Sequence, residues 1–102
     1  MIARIWSGVA RVDSIDAYVS HLREKTFPSL DALAGHRGAY VFRRVSGDQV
    51  AVTVITLWDS HEAIARFSGA DVEAAVVPAE AQALLVAWDA RAVHWEVAYK
   101  SA

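Results

Sequence analysis

The stretch Q-V-A-V-T-V-I-T-L-W, residues 49–58, constrains the fold more than any other part of the chain. Its β-branched residues are typical of a β-strand. Successive side chains of a strand point to opposite faces of a sheet. Here both sets are apolar, with Val50, Val52 and Val54 on one face and Ala51, Ile55 and Leu57 on the other. A sheet that contains this strand therefore needs apolar cover on both sides.

The composition bounds the class of protein. The chain has 102 residues, which suits a single domain over 1–102, and it has no cysteine, which excludes disulfides and thiolate chemistry. No apolar run approaches the roughly 18 residues of a membrane span. The first residues, M-I-A-R-I-W-S-G-V, lack the features of a signal peptide. We therefore expect a cytoplasmic protein that does not enter a membrane.

The charge of the chain argues against a nucleic-acid partner. The net charge is −2, whereas nucleic-acid-binding domains normally present a basic face. The densest basic group is Arg37, Arg43 and Arg44, which we interpret as the solvated edge of a sheet. We expect no nucleic-acid partner.

The first half of the chain predicts a strand and then a helix. Residues 1–9 are rich in β-forming residues. The D-S pair at 13–14 offers an N-cap, and apolar residues spaced i, i+3, i+4 and i+7 follow over 15–22. This helix is expected to end before Pro28, because the residue before a proline disfavours the α conformation. A short helical turn is expected from there to Leu33.

The second half predicts a hairpin, two helices and a last strand. Residues 38–45 and 49–58 form the hairpin around the turn S-G-D. Helices are predicted over 60–68 and 78–88, and the alternating residues 91–100 form the last strand. The order β-α-β-β-α-β predicts an α+β, ferredoxin-like fold with an antiparallel sheet.

The two strand-to-helix joints have similar sequences. They read D-S-I-D-A at 13–17 and D-S-H-E-A at 59–63. Each places acidic residues at the positive end of a helix, in the manner of a capping box. We interpret Asp59, Ser60 and Glu62 as a helix cap rather than as a catalytic cluster.

The apolar surface of the predicted sheet exceeds what two helices can cover. The last strand repeats the pattern of 49–58, with Val93, Trp95 and Val97 on the face opposite His94. An uncovered apolar face of this size is larger than monomers normally expose. We therefore expect a symmetric homodimer that packs sheet against sheet.

Histidine and arginine side chains are the candidates for a polar site. The zinc motif H-E-x-x-H is incomplete in H-E-A-I-A, so we expect no metal. His21 and His61 occupy helix positions that we expect to be solvated. His94 lies mid-strand between apolar neighbours and needs hydrogen-bond partners, which makes it either structural or functional. Arg4, also mid-strand, needs an anion, which Glu96 or a ligand carboxylate would supply.

The stretch T-L-W-D-S-H-E-A-I-A-R-F-S-G, followed by A-A-V-V-P-A-E-A-Q-A-L-L and a final H-W-E-V strand, resembles the antibiotic biosynthesis monooxygenase-like proteins. These belong to the dimeric alpha+beta barrel superfamily, and the resemblance covers nearly the whole chain. It is specific for the fold rather than for the activity. The superfamily includes cofactor-free oxygenases of polycyclic phenols, heme-degrading monooxygenases, lactone isomerases and proteins of unknown role.

The heme-degrading branch is a poor match to this sequence. Its members carry a ligating histidine shortly after the second helix, and the corresponding residues here, 74–77, include none. A heme without its axial ligand has no anchor. We therefore expect no cofactor.

The resemblance to the cofactor-free oxygenases implies a dry pocket that binds an electron-rich phenol and helps to deprotonate it. His94 is the predicted proton-handling residue and Arg4 the predicted anion holder. The predicted substrate-binding walls are Trp6, Tyr40 and Phe67, which requires that the even-numbered face of the first strand be turned to the helices. The predicted function is a cofactor-independent monooxygenase acting on a small aromatic or quinone-type molecule. The alternatives are a non-catalytic small-ligand-binding or stress-associated dimer and a lactone isomerase-like enzyme.

Overall fold

The β-branched strand, β3 (Gln49–Trp58), lies beside β1 (Ile2–Arg11) in a five-stranded antiparallel sheet. β2 (His36–Ser46) pairs with the other edge of β3, which confirms the predicted hairpin. Gly47 has a φ of 63° in the turn between them, a conformation that favours glycine. The computed structural model describes residues 1–102 and has an α+β fold.

Two short strands cover the second edge of β1. β4 (Leu85–Trp88) pairs with residues 8–10, and β5 (Val93–Glu96) pairs with residues 2–5. Their partners follow one another along β1, so β4 and β5 occupy the place of a single interrupted strand. The last strand therefore begins earlier than predicted and ends earlier.

The predicted helix over 78–88 is wrong beyond its first turn. α4 covers only Ala79–Gln82, with Pro78 at its N-cap, and the chain then enters β4. A continued helix would leave the N–H and C=O groups on that part of the β1 edge without partners. Leu85 and Val86 accept the strand conformation because bulky and β-branched side chains fit a sheet.

The helix after β1 does not end before Pro28 as predicted. It runs without interruption as α1 (Ile15–His21), a π-helical segment (Leu22–Thr26) and α2 (Phe27–Asp31). A proline inside an α-helix clashes with the carbonyl four residues earlier. The wider π-helical turn ahead of Pro28 relieves that clash, and Phe27 stays helical at φ −66° and ψ −40°.

None of the helices has both the length and the apolar character that crossing a membrane requires.

α3 (His61–Ser68) begins at the second of the two similar joints. Ser60 Oγ accepts a hydrogen bond of 3.1 Å from the backbone N–H of Ala63, so the predicted cap is confirmed for this residue. Asp59 does not cap the helix. Its carboxylate instead accepts two hydrogen bonds of 2.6 Å from Arg37.

All helices pack on one face of the sheet. The side chains beneath them are fully buried, among them Val50, Val52 and Trp58 of β3. The opposite face, called here the open face, has no helical cover. Its apolar residues, placed on one side by the strand register, are Ala3, Ile5, Tyr40, Phe42, Ile55, Leu57, Val93 and Trp95.

Candidate functional site

A partly enclosed cavity lies between the sheet and the helices. Its volume, measured as the space that the centre of a water molecule can occupy, is about 60 Å³. One water needs roughly 10–15 Å³ by that measure, so the cavity has room for several. Its walls are mainly apolar and include Trp6, Phe27, Leu30, Val54, Phe67 and Val77. Cavities of this character are the usual sites for small organic ligands.

The even-numbered face of β1 is turned toward this cavity. Arg4 and Trp6 line it from β1, and Phe67 lines it from α3. Trp6 Nε1 donates a hydrogen bond of 2.8 Å to the carbonyl of Asp89, which fixes the indole at the cavity wall. Three of the five predicted site residues therefore meet at one cavity.

Arg4 is the charged group of the cavity, and only 4% of its surface is exposed. Its Nη1 donates to the carbonyl of Val72 and its Nη2 donates to the carbonyl of Ala74 at 2.7 Å. The guanidinium carbon lies 5.7 Å from the centroid of the Phe67 ring, within the range of a cation–π contact. These contacts hold the guanidinium rigidly between β1 and the segment that follows α3.

The positive charge of Arg4 has no carboxylate partner. Glu96, the predicted counter-ion, makes no ion pair with it. Burial lowers the pKa of Arg4, and only the more distant charge of Glu73 opposes that effect. The guanidinium remains protonated because even a lowered arginine pKa stays far above neutrality. A buried cation with neutral partners favours an anion in the adjoining space.

His94 supports Arg4 from outside the cavity. The Nε2 atom of His94 lies 2.9 Å from Arg4 Nη1. His94 of β5 is the residue that pairs with Arg4 of β1 in the sheet. A guanidinium only donates hydrogen bonds, so His94 Nε2 accepts this one and the ring proton is on Nδ1. His94 does not line the cavity. The prediction that His94 handles protons inside the pocket is wrong in its placement, because the residue faces Arg4 rather than the ligand space.

His94 is held in its neutral form by its surroundings. Burial lowers the pKa of His94, the charge of Arg4 lowers it further, Glu73 raises it, and His61 lowers it. The folded-state pKa therefore lies below the value near 6.5 of an unfolded chain. Between these two pKa values the unfolded chain binds more protons, so the free energy of unfolding rises with pH.

We expect the free energy of unfolding to fall as the pH is lowered from 7.5 through 6.5 to 5.5. The His94→Gln variant is expected to lose much of this fall, because a glutamine amide accepts from Arg4 without titrating. Urea unfolding at each pH measures the effect. The variant Glu24→Gln, which removes an exposed carboxylate of the π-helical segment, is the control and should keep the wild-type trend. An identical pH trend in His94→Gln would contradict the assignment.

Tyr40 does not belong to the cavity. It pairs with Ile55 on the open face, stacks on Phe42 with ring centroids 5.8 Å apart, and is 52% exposed. The prediction that Tyr40 walls the pocket is therefore wrong for a single chain. The hairpin keeps one register from Ser46↔Gln49 to Gly38↔Leu57, and this register places Tyr40 opposite Ile55.

Two residues of α1 that were not predicted line the cavity. Tyr18 is 3% exposed, and burial raises its pKa to about 12, so its hydroxyl stays protonated and neutral. His21 is half-buried rather than solvated, and its Nε2 is buried without a hydrogen-bond partner. The signal in the sequence is the i, i+3 spacing of these residues beside the apolar stripe.

The mouth of the cavity lies beside the π-helical segment. His21, Thr26 and Phe67 line both the cavity and a wider cleft outside it. Lys25 and Glu80 form an ion pair of 3.5 Å at the rim of that cleft. π-Helical segments are frequent at functional sites, and this one shapes the path from solvent to Arg4.

Comparison with known proteins gives no identification. No protein-family model matches this chain, and no curated protein matches it significantly. No group of three or more histidine, aspartate and glutamate side chains is placed to hold a metal ion. The function is therefore inferred from the geometry of the cavity.

Proposed function

We propose that this protein is a cofactor-independent monooxygenase that acts on a small aromatic or quinone-type molecule. The observation that carries the proposal is the burial of Arg4, without a carboxylate partner, in the wall of an apolar cavity. A fixed cation in a dry site stabilises a phenolate relative to the phenol. The phenolate is the electron-rich form that reacts with molecular oxygen.

The chemistry balances without an external reductant. Arg4 lowers the pKa of the bound hydroxyl, so the phenol releases its proton on binding. The phenolate then donates electrons to oxygen through a ring carbon. One oxygen atom replaces the hydrogen on that carbon to give a quinone, and the other leaves as water with the two displaced hydrogens. The apolar walls formed by Trp6 and Phe67 keep water from the reacting carbon.

Oxygen uptake with a panel of phenols and hydroquinones tests this function. We expect one oxygen molecule to be consumed for each quinone formed, with uptake unaffected by prior dialysis against a metal chelator. The Arg44→Gln variant, which removes an exposed arginine from β2, should retain the wild-type rate. A protein that binds these compounds and consumes no oxygen would contradict the proposal.

A non-catalytic small-ligand-binding protein is the second candidate function. It is favoured by the placement of His94, because the predicted base lies outside the cavity with its Nε2 engaged by Arg4. Saturable ligand binding without oxygen uptake would support this candidate. The lactone isomerase-like alternative stays a prediction, which turnover of an unsaturated lactone would test.

The ferredoxin-like topology is part of the same proposal. If β4 and β5 count as one interrupted strand, the sheet order β2-β3-β1-β4 is the order of a β-α-β-β-α-β fold. The helices on one face and the exposed open face support a barrel formed by two chains.

We expect sedimentation to give a homodimer of about 22 kDa, twice the 11.1 kDa chain. The reason is the open face, where Trp95 is 61% exposed and Tyr40 is 52% exposed. The interface should bury more than roughly 1,500 Å² in total. The Ile55→Lys variant should be monomeric, because it places a charge at the centre of the open face.

The Val12→Lys variant is the control for the dimer, since Val12 is exposed outside the sheet. It should sediment like the wild-type protein. A wild-type chain that is monomeric at micromolar concentration would refute the dimer and the proposed role of the open face.

A further inference from the structure

We propose that the cavity selects a single-ring aromatic anion with a second oxygen substituent, the anionic oxygen binding Arg4 and the second oxygen binding His21. The inference rests on the ligand site of the proposed function. It does not require that the ligand be oxidised.

The size of the cavity supports a single ring. The centres of water molecules can occupy about 60 Å³ of the cavity, which is room for roughly four to six waters. A substituted benzene ring is of that order. A fused second ring would have to extend out of the cavity into the wider, more open cleft that His21, Thr26 and Phe67 also line.

The charge of the ligand follows from the donors of Arg4. A guanidinium has five N–H donors, and contacts with Val72, Ala74 and His94 use three of them. The Nε–H and one Nη2–H of Arg4 make no hydrogen bond, and Arg4 lines the cavity. Arginine donors in a fork match a carboxylate or a phenolate better than a neutral group. Because every present partner is uncharged, an anionic ligand supplies the compensating charge.

The second oxygen substituent follows from His21. Its Nε2 is buried and lacks a hydrogen-bond partner, although the residue borders both the cavity and the outer cleft. An unpaired buried nitrogen is unfavourable, so a ligand that pairs with it gains affinity. The χ2 torsion of histidine is broad, and a small rotation presents Nε2 to the cavity. Tyr18 adds a neutral wall next to His21 and no competing charge.

A matched series of ligands tests the three requirements by calorimetry at pH 7.5. The probes are the three hydroxybenzoate isomers, benzoate, the amide of the tightest isomer, and 6-hydroxy-2-naphthoate. We expect the best hydroxybenzoate to bind about 10-fold more tightly than benzoate, which lacks the second oxygen. It should bind about 100-fold more tightly than its amide, which lacks the charge. The naphthoate should bind at least about 10-fold more weakly because of its second ring.

Variants of His21 separate its role from a structural one. In His21→Leu the best hydroxybenzoate should bind no more tightly than benzoate, while benzoate keeps its affinity. His21→Gln, whose amide reaches about as far as the ring nitrogen, should restore most of the preference. His61→Leu, which removes an exposed histidine outside the cavity, should match the wild-type protein. If His21→Leu does not fold, His21→Phe, which keeps a ring and removes both ring nitrogens, is expected to lose the preference in the same way.

Several results would overturn the inference. They are equal binding of all hydroxybenzoates and benzoate, equal binding of acid and amide, tighter binding of the naphthoate, or no saturable binding of any hydroxybenzoate up to 10 mM ligand, a limit set at the order of weak fragment affinity. Binding without oxygen uptake would refute the oxygenase and leave this inference in place. Oxygen uptake with neutral polycyclic phenols alone would refute this inference and leave the oxygenase in place.

Discussion

Replacing Arg4 with glutamine is expected to lower kcat/KM for oxygen uptake by about 100-fold or more. The guanidinium is the only cationic group that lines the cavity from the sheet, and loss of a single preorganised electrostatic contact typically costs 10²–10³ in rate. Glutamine is shorter than arginine, so the expected loss combines the missing charge with the lost contacts of Nη1 and Nη2 to Val72 and Ala74.

A pH profile distinguishes this electrostatic role of Arg4 from a structural one. Without the cation the bound phenol keeps a higher pKa, so the rate of Arg4→Gln should recover as the pH rises toward the pKa of the free phenol. Arg4→Lys keeps the charge but not the planar fork and should lose about 10-fold. A folded Arg4→Gln protein with unchanged kcat/KM would remove Arg4 from the mechanism.

Local alternation sets the placement of Arg4 and Trp6 on one face of β1, and their role in a site stays a prediction. Arg4 and Trp6 share a face because they are two residues apart on β1, and their proximity to Phe67 follows once that face meets the helices. The two faces of β3 are apolar by the same rule, and the open face follows from them. Such inferences need only the period of a strand and the number of helices.

The errors arise where non-local pairing overrides local pattern. Tyr40 lies on the open face because the register of the β2–β3 hairpin places it opposite Ile55. The segment 85–88 has the apolar spacing of a helix, but it forms a strand because it pairs with the edge of β1. His94 is recognised as needing partners, yet its partner is Arg4 across the strands rather than a ligand.

The place of His21 at the cavity is missed for a different reason. Its helix position appears exposed if the helix is ideal and ends before Pro28. His21 is the last residue of α1, and the π-helical segment that follows it contributes Leu22 and Thr26 to the same cavity. The predicted cap at Ser14 is only partly observed. Ser14 occupies the N-cap position of α1, but its side chain makes no capping hydrogen bond.

Replacing Trp58 with alanine is expected to reduce the free energy of unfolding by about 3–5 kcal/mol. Trp58 is 0% exposed, and its Nε1 donates a hydrogen bond of 2.8 Å to Thr56 Oγ1. Its ring stacks near Phe67 with centroids 6.1 Å apart and meets the edge of His36 at 5.0 Å. Removal leaves a large void beneath α3 and deprives the Thr56 hydroxyl of its donor. Urea unfolding at pH 7.5 measures the loss.

Two further variants make the Trp58 prediction specific to burial. Tyr99→Ala removes an aromatic ring that is 84% exposed and should change the free energy of unfolding by less than about 0.5 kcal/mol. Trp58→Phe keeps most of the volume and should cost less than Trp58→Ala. Because Phe67 lies between Trp58 and the cavity, Trp58→Ala should also weaken ligand binding by letting that ring move. A loss in Trp58→Ala no larger than in Tyr99→Ala would show that the indole is not a core element.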